Sequence, residues 1–240
     1  MIFKYSELKK LLLKINRLGE TIHFKDFKGQ NCFLIRHDVD WDLKAALNLA
    51  IIENDIGVKS TFFIMVSSDN YNVMNYNNKN ILNKIKNLGH EIGLHFDTSI
   101  YTKEFESRAI IESKILENII SDKINSISLH NPSSTKFYPE FKKFNNAYSK
   151  KYFNKKTYLA DSRFNFRGKE PFKFIERIKY LPFIQVLLHP LHYSEKGDTN
   201  YISKFEKMFY DKINEFDKVQ LENTKYQEDR KVKGYEIKIK

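Results

Sequence analysis

The stretch Cys32-Phe33-Leu34-Ile35-Arg36-His37-Asp38-Val39-Asp40 is an apolar run that ends in residues able to do chemistry. Five later runs have the same form: Ser60 to Ser68 (STFFIMVSS), Glu91 to Asp97 (EIGLHFD), Ile127 to Ser133 (ISLHNPS), Thr157 to Ser162 (TYLADS) and Phe183 to Pro190 (FIQVLLHP). Between them lie stretches with apolar residues at helical spacing, such as Phe105 to Ile120. Strand alternating with helix implies parallel strands joined by crossovers. A barrel of eight βα units in about 250 residues repeats every ~30 residues, close to the spacing here. In such a barrel the residues after each strand converge on one mouth, where active sites form. Asp38, Asp40, His95, His130, Asp161 and His189, scattered in sequence, would become neighbours there.

Working outward from these runs, the bulk numbers fit one α/β domain. The chain has 240 residues, 8 Gly, 5 Pro and no linker rich in either, so a single barrel domain over 1–240 is expected. An N-terminal helix over 5–19 is read from Leu8, Leu11, Leu12, Ile15 and Leu18, with Gly19 as its stop. Residues 220–240 read as a possible loose basic tail, whose final Tyr235 to Lys240 (YEIKIK) alternates well enough for one edge strand. The single cysteine, Cys32, excludes an intramolecular disulfide and any cysteine-based zinc site. No segment reaches the ~18 apolar residues of a membrane span, and the N-terminus is amphipathic rather than a secretory signal. A cytoplasmic location is the parsimonious expectation. The net charge of +11, from 41 Lys+Arg against 30 Asp+Glu, is spread over nearly every helix, without a phosphate loop or an RNA-binding aromatic signature. No nucleic-acid partner is therefore expected.

Within the first run, Asp38 and Asp40 share one strand face, while His37 and Val39 share the other. Two carboxylates side by side repel unless a cation or a shared proton sits between them. The purely structural alternative is an ion pair from Asp38 to Arg36 with a helix cap by Asp40 or Asp42. His90 and His95 stand at opposite ends of one strand, so only His95 reaches the mouth. Asp97 reads as a further ligand, a partner of His95 or a loop residue. The loop over 67–78 is long enough to be a flap.

RHDVDW, GHEIGLHFD, SLHNPS and LLHP, in this order and spacing, resemble the polysaccharide deacetylase superfamily: NodB-homology enzymes, or carbohydrate esterase family four. The likeness runs from about Leu34 to His189. It implies a distorted (β/α) barrel of about seven parallel strands, a divalent metal, zinc above all, and removal of N- or O-acetyl groups from sugars. Carried over residue by residue, the resemblance gives Asp38 as catalytic base, Asp40 and His95 as metal ligands and His189 as general acid. Val39 separates the two acids that are commonly adjacent, as in variant HDVD subfamilies. The place of the second metal histidine is Ser99, a poor zinc ligand. The third motif carries His130-Asn131-Pro132 instead of an arginine. His130 is taken to restore the missing ligand, completing Asp40, His95 and His130. The fourth motif's aspartate falls on Asp161, near Arg163 and Arg167. Trp41, Phe164, Phe166 and Tyr193 are candidate sugar-stacking surfaces, and His192 and Tyr193 candidate substrate contacts.

The function expected is metal-dependent hydrolysis of an acetyl or similar small acyl group on an N-acetylated sugar or glycan, in surface-glycan or sugar-precursor metabolism. Ser99 and the absent arginine favour a rival, a barrel that kept the fold but lost the metal. The charge alone favours another, a nucleic-acid or anionic-glycan binding protein.

Overall fold

The computed structural model describes residues 3–233, with the backbone alone at Thr135, Val232 and Lys233. The chain divides into two compact units, Met1–Gly197 and Asp198–Lys240. In chain order the first unit holds α1 (Tyr5–Leu18), β1 (Thr21–Ile22), β2 (Cys32–Val39), α2 (Leu43–Asp55), β3 (Thr61–Ile64), α3 (Tyr76–Asn87) and β4 (Glu91–Phe96). It continues with α4 (Phe105–Ile120), β5 (Ser126–Leu129), α5 (Pro132–Thr135), β6 (Asn145–Asn146), β7 (Tyr158–Ala160), α6 (Pro171–Ile175) and β8 (Phe183–Leu188). The second unit holds α7 (Tyr201–Gln220) and α8 (Thr224–Lys233). Part of the tail expected to be loose is thus helical, and the expected edge strand at 235–240 lies outside the described residues.

All strand pairs are parallel, in the order β6-β5-β4-β3-β2-β8-β7, with the short β1 beside the start of β2. The seven-stranded path is a distorted (β/α) barrel, with β6 and β7 as its unjoined edges. β2 pairs with β3 on one side and β8 on the other, which places its C-terminal acids at the centre of the mouth.

Strand alternation sorts the core. Phe33, Ile35, Val39, Phe62, Ile64, Ile92, Leu94, Ile127, Leu129, Ile184, Val186 and Leu188 face outward and join the helices in one apolar cluster. The inward face carries Arg36, Asp38, Thr61, Glu91, His95, Ser126, Ser128 and Gln185, all buried. Cys32, Leu34, Phe63 and Phe183 close the lower interior together with Phe24, Phe27 and Tyr152. Each outward Leu, Ile or Phe contributes about 1.5–3 kcal/mol by burial, and a one-residue slip would turn the polar face into that cluster. The apolar face therefore sets the register that aims the acids inward. Gly93 has a specific reason: a Cβ there would lie 2.6 Å from the Phe63 ring and 3.0 Å from the Ser126 carbonyl oxygen.

Several helix starts follow from capping chemistry. Asp42 accepts from the Lys44 amide at 2.8 Å and begins α2, the cap expected for one of the two candidate acids. Asn75 does the same for α3, and Glu170 for α6. The stretch over 138–153, hard to assign from sequence, contributes β6 and the buried Phe141, Phe144, Ala147 and Tyr152.

Candidate metal centre and active site

Asp40 follows β2, and its Oδ1 is the meeting point of two imidazoles. His95 Nε2, from β4, lies at 3.0 Å, and His130 Nδ1, just past β5, lies at 2.9 Å. The two ring nitrogens are 3.3 Å from each other. Three ligand atoms with these separations match the edges of a tetrahedron around a zinc ion, about 3.3 Å for metal–nitrogen bonds of ~2.0–2.1 Å. One carboxylate and two imidazoles suit zinc and its borderline neighbours. The donor set therefore fits a divalent cation. Burial would raise the Asp40 carboxyl, but hydrogen bonds from His130 and His95, with the nearby charges of His95 and His189, hold it well below the usual range. His95 Nδ1 is buried with no partner among the described residues, so packing rather than a second hydrogen bond orients this ring.

Asp38 sits one step down the same face in different company. Ser128 Oγ reaches both of its oxygens at 3.2 Å, and Arg36 Nη2 lies 3.3 Å from Oδ2. Arg36 is itself fully buried, donates to Tyr148 Oη at 2.8 Å and lies 4.5 Å from that ring's centroid. The ion pair offered by the structural alternative is present, then, but it stands beneath the site instead of replacing it. Asp38 thus has its charge offset by a guanidinium, and the contacts within hydrogen-bonding distance of its carboxylate come from Arg36 and Ser128 rather than from an imidazole.

Asp161 and His189 form a second group. His189 Nδ1 lies 2.6 Å from Asp161 Oδ1, and the His189 amide donates to both carboxylate oxygens at 3.2 and 3.0 Å. His192 Nδ1 lies 3.1 Å from Oδ2. Desolvation opposes charge on the His189 ring, but the Asp161 carboxylate and its hydrogen bond, then Asp40, raise the imidazole to about 9. Burial alone would raise Asp161; the His192 and His189 charges and hydrogen bonds hold it far below its usual range. His189 Nε2 faces the first group, 3.9 Å from Asp40 Oδ2.

The structure thus brings Asp38, Asp40, His95, His130, Asp161 and His189 to one mouth, as the strand ends imply. Other expected residues land elsewhere. His192 is 1 % exposed and Tyr193 2 %, so neither presents a surface to substrate; the turn after β8 folds both inward. Phe166 stacks on Phe3 and Phe164 packs on His192, which places Phe166 in the core and commits one face of Phe164. Trp41 is half-buried, with its ring 6.3 Å from those of both His189 and His192, and remains at the mouth. Asp97 caps a turn by accepting from the Ser99 amide, and its charge acts on His130. Ser99 is exposed on that turn. Arg163 is exposed with φ 57°, in a segment where Phe164 and Arg167 also have positive φ. Left-handed backbone at non-glycine residues costs on the order of 1–3 kcal/mol each.

The loop after β3 is no free flap: Asn70 Nδ2 donates to the Asp40 carbonyl at 3.1 Å, and Tyr71 Oη to the Val39 carbonyl at 2.6 Å. His37 and His90 are structural, joined to Glu53 and Ser60 behind the barrel. Sequence reasoning missed Ser128 as a partner of Asp38. Its signal was available, since Ser126, Ser128 and His130 alternate on one face.

Fold and site together define a (β/α) barrel with a metal-competent Asp-His-His group at its mouth. No family model and no curated protein matches the chain. Among solved structures it is similar to PdaC, a peptidoglycan deacetylase from Bacillus subtilis, at 15 % identity over 81 % of this chain and 98 % of that one, TM-score 0.44. It is similar also to BA3943, a CE4 family pseudoenzyme from Bacillus anthracis, at 13 % identity over 76 % of this chain and 62 % of that one, TM-score 0.43. A family 4 acetyl xylan esterase from Clostridium thermocellum gives 14 % identity, 66 % and 73 % coverage, TM-score 0.40. The chain spans less than two thirds of the length of BA3943. Among the described residues no helix is long and apolar enough to cross a membrane.

Proposed function

We propose that this protein is a metal-dependent hydrolase that removes an acetyl or similar small acyl group from the nitrogen of an amino sugar. The observation that carries the reading is the convergence of Asp40 Oδ1, His95 Nε2 and His130 Nδ1 within 2.9–3.3 Å of one another, beside a separately held acid and base. One divalent metal held there, zinc by the donor set, supplies Lewis acidity toward a water and the acyl oxygen. Asp38 accepts the proton of the attacking water as its oxygen bonds to the acyl carbon. His189 delivers a proton from Nε2 to the amine as the carbon–nitrogen bond breaks, leaving a free carboxylate and an amino sugar. The Asp161 carboxylate on Nδ1 keeps that imidazole cationic, which suits a general acid. Trp41, at the edge of the mouth, offers a ring face to the sugar.

The test is acetate release from N-acetylated monosaccharides, nucleotide-linked sugars and oligosaccharides by zinc-loaded protein, with Asp38→Asn as control. Release by the wild type, at least 100-fold slower in the variant, is expected. A wild type that binds no zinc and releases no acetate from any of these would establish the non-catalytic barrel instead.

A further inference from the structure

The turn after β8 carries His189, Pro190, Leu191 and His192, and the His192 amide donates to the His189 carbonyl at 2.9 Å. In a 3₁₀ turn residues three apart lie on one side, so both imidazoles face the same carboxylate. The oxygens of Asp161 are divided between them, Oδ1 to His189 Nδ1 at 2.6 Å and Oδ2 to His192 Nδ1 at 3.1 Å. A carboxylate is twofold symmetric about its last torsion, so what must be held is its plane; the His189 amide, 3.2 and 3.0 Å from the two oxygens, anchors one side and the His192 ring the other. Fixing one oxygen fixes the other.

The His192 ring is itself held, with Phe164 at 4.2 Å between centroids and Phe3 edge-on at 5.9 Å. Phe164 reaches it from a left-handed backbone position with φ 53°, strain that the fold sustains at this place. His192 is 1 % exposed, so water does not compete for its Nδ1.

We infer that His192 is a positioning residue for His189: by contacting the far oxygen of Asp161 it keeps the carboxylate in line with His189 Nδ1, which fixes the proton there and aims Nε2 at the mouth. The catalytic consequence rests on the hydrolase reading above; the effect on the His189 ring does not. His189 Nε2 then stands 3.9 Å from Asp40 Oδ2, across the space a substrate amide would enter.

The experiment is proton and nitrogen NMR of the full chain labelled at histidine, with the His189 signals assigned by their loss in His189→Gln. The wild type is expected to show His189 protonated at Nδ1, with a far-downfield N–H proton from its short bond to Asp161. His192→Asn, whose amide donates from nearly the same place, keeps that resonance. His192→Leu shifts it upfield or broadens it, and lowers kcat about 10- to 100-fold with KM unchanged, while His192→Asn stays within about 3-fold. An unchanged His189 resonance in folded His192→Leu would overturn the inference and leave His192 as packing. Should His192→Leu fail to fold, His192→Phe fills the same aromatic slot without a donor and makes the same comparison. A wild type without hydrolytic activity would remove the proposed function, and the resonance would still decide the role of His192.

Discussion

Two groups at the mouth have the same composition, one aspartate and two histidines, and are built for different chemistry. Asp40 gathers both imidazoles on a single oxygen, so its three ligand atoms surround one point. Asp161 spreads its histidines over separate oxygens, and the His189 amide occupies both oxygens as well. The first arrangement brings two ring nitrogens within 3.3 Å of each other on one oxygen, a donor set that fits a divalent cation. The second sets its two imidazoles on different oxygens, at 2.6 and 3.1 Å, although its three ligand atoms also lie within 4.8 Å of one another. What separates the two groups is the distribution of donors over the carboxylate oxygens.

The comparison breaks most visibly if metal goes to the wrong group. Zinc affinity of the purified chain, measured by competition with a chelator, should fall at least ~1,000-fold in Asp40→Ala, and hydrolysis should fall to background. Asp161→Asn should change zinc affinity less than about 3-fold. Equal losses in the two variants would show that both groups share one ion and would sink the distinction drawn here.

A smaller effect separates binding from chemistry. His189→Gln should retain a full complement of zinc and lose roughly 100- to 1,000-fold in kcat, the usual worth of a positioned general acid. His130→Ala should do the reverse in order of cause, with zinc affinity falling beyond the roughly 10- to 100-fold of an outer-shell partner and activity restored in part by excess zinc. Zinc loss in His189→Gln would move His189 from acid to ligand.

Part of the outline of this comparison is legible in the sequence. Parallel strands, their order of chemistry-bearing ends and the inward face of β2 follow from period-two alternation, which the outward Phe33, Ile35 and Val39 enforce by burial. His130 is offered as a ligand because the resemblance lacks one at Ser99, and its place in the inward series Ser126, Ser128 is a further signal in the sequence. The company kept by each carboxylate was not readable. Whether Asp161 shares one oxygen or two depends on side-chain torsions set by long-range packing of Phe3, Phe164 and Trp41 around the turn after β8. For the same reason His192 and Tyr193, adjacent in sequence to a functional residue, read as exposed contacts and are buried. The aromatic stretch over 138–153 has no single period, so the Tyr148 contact to Arg36 carried no sequence signal.

The least conspicuous consequence is in pH. His189 is raised from 6.5 to about 9, first against desolvation and then by Asp161. A histidine whose folded value lies above its unfolded one stabilises fully below the unfolded value, and that contribution is lost as pH rises through the folded one. Asp161, depressed by the same pair, contributes above its unfolded value of 3.8 and loses this as pH falls through the folded value. The pair is therefore charged on both sides across neutral pH. Urea unfolding of the wild type against His189→Gln should show the wild type losing relative stability between about pH 6.5 and 9. In the same window kcat/KM should fall along a limb near pH 9 that is absent from His189→Gln. Such a limb retained in His189→Gln would assign it to another group and remove the acid role from the Asp161 side, leaving the Asp40 group as the one part of the mouth with defined chemistry.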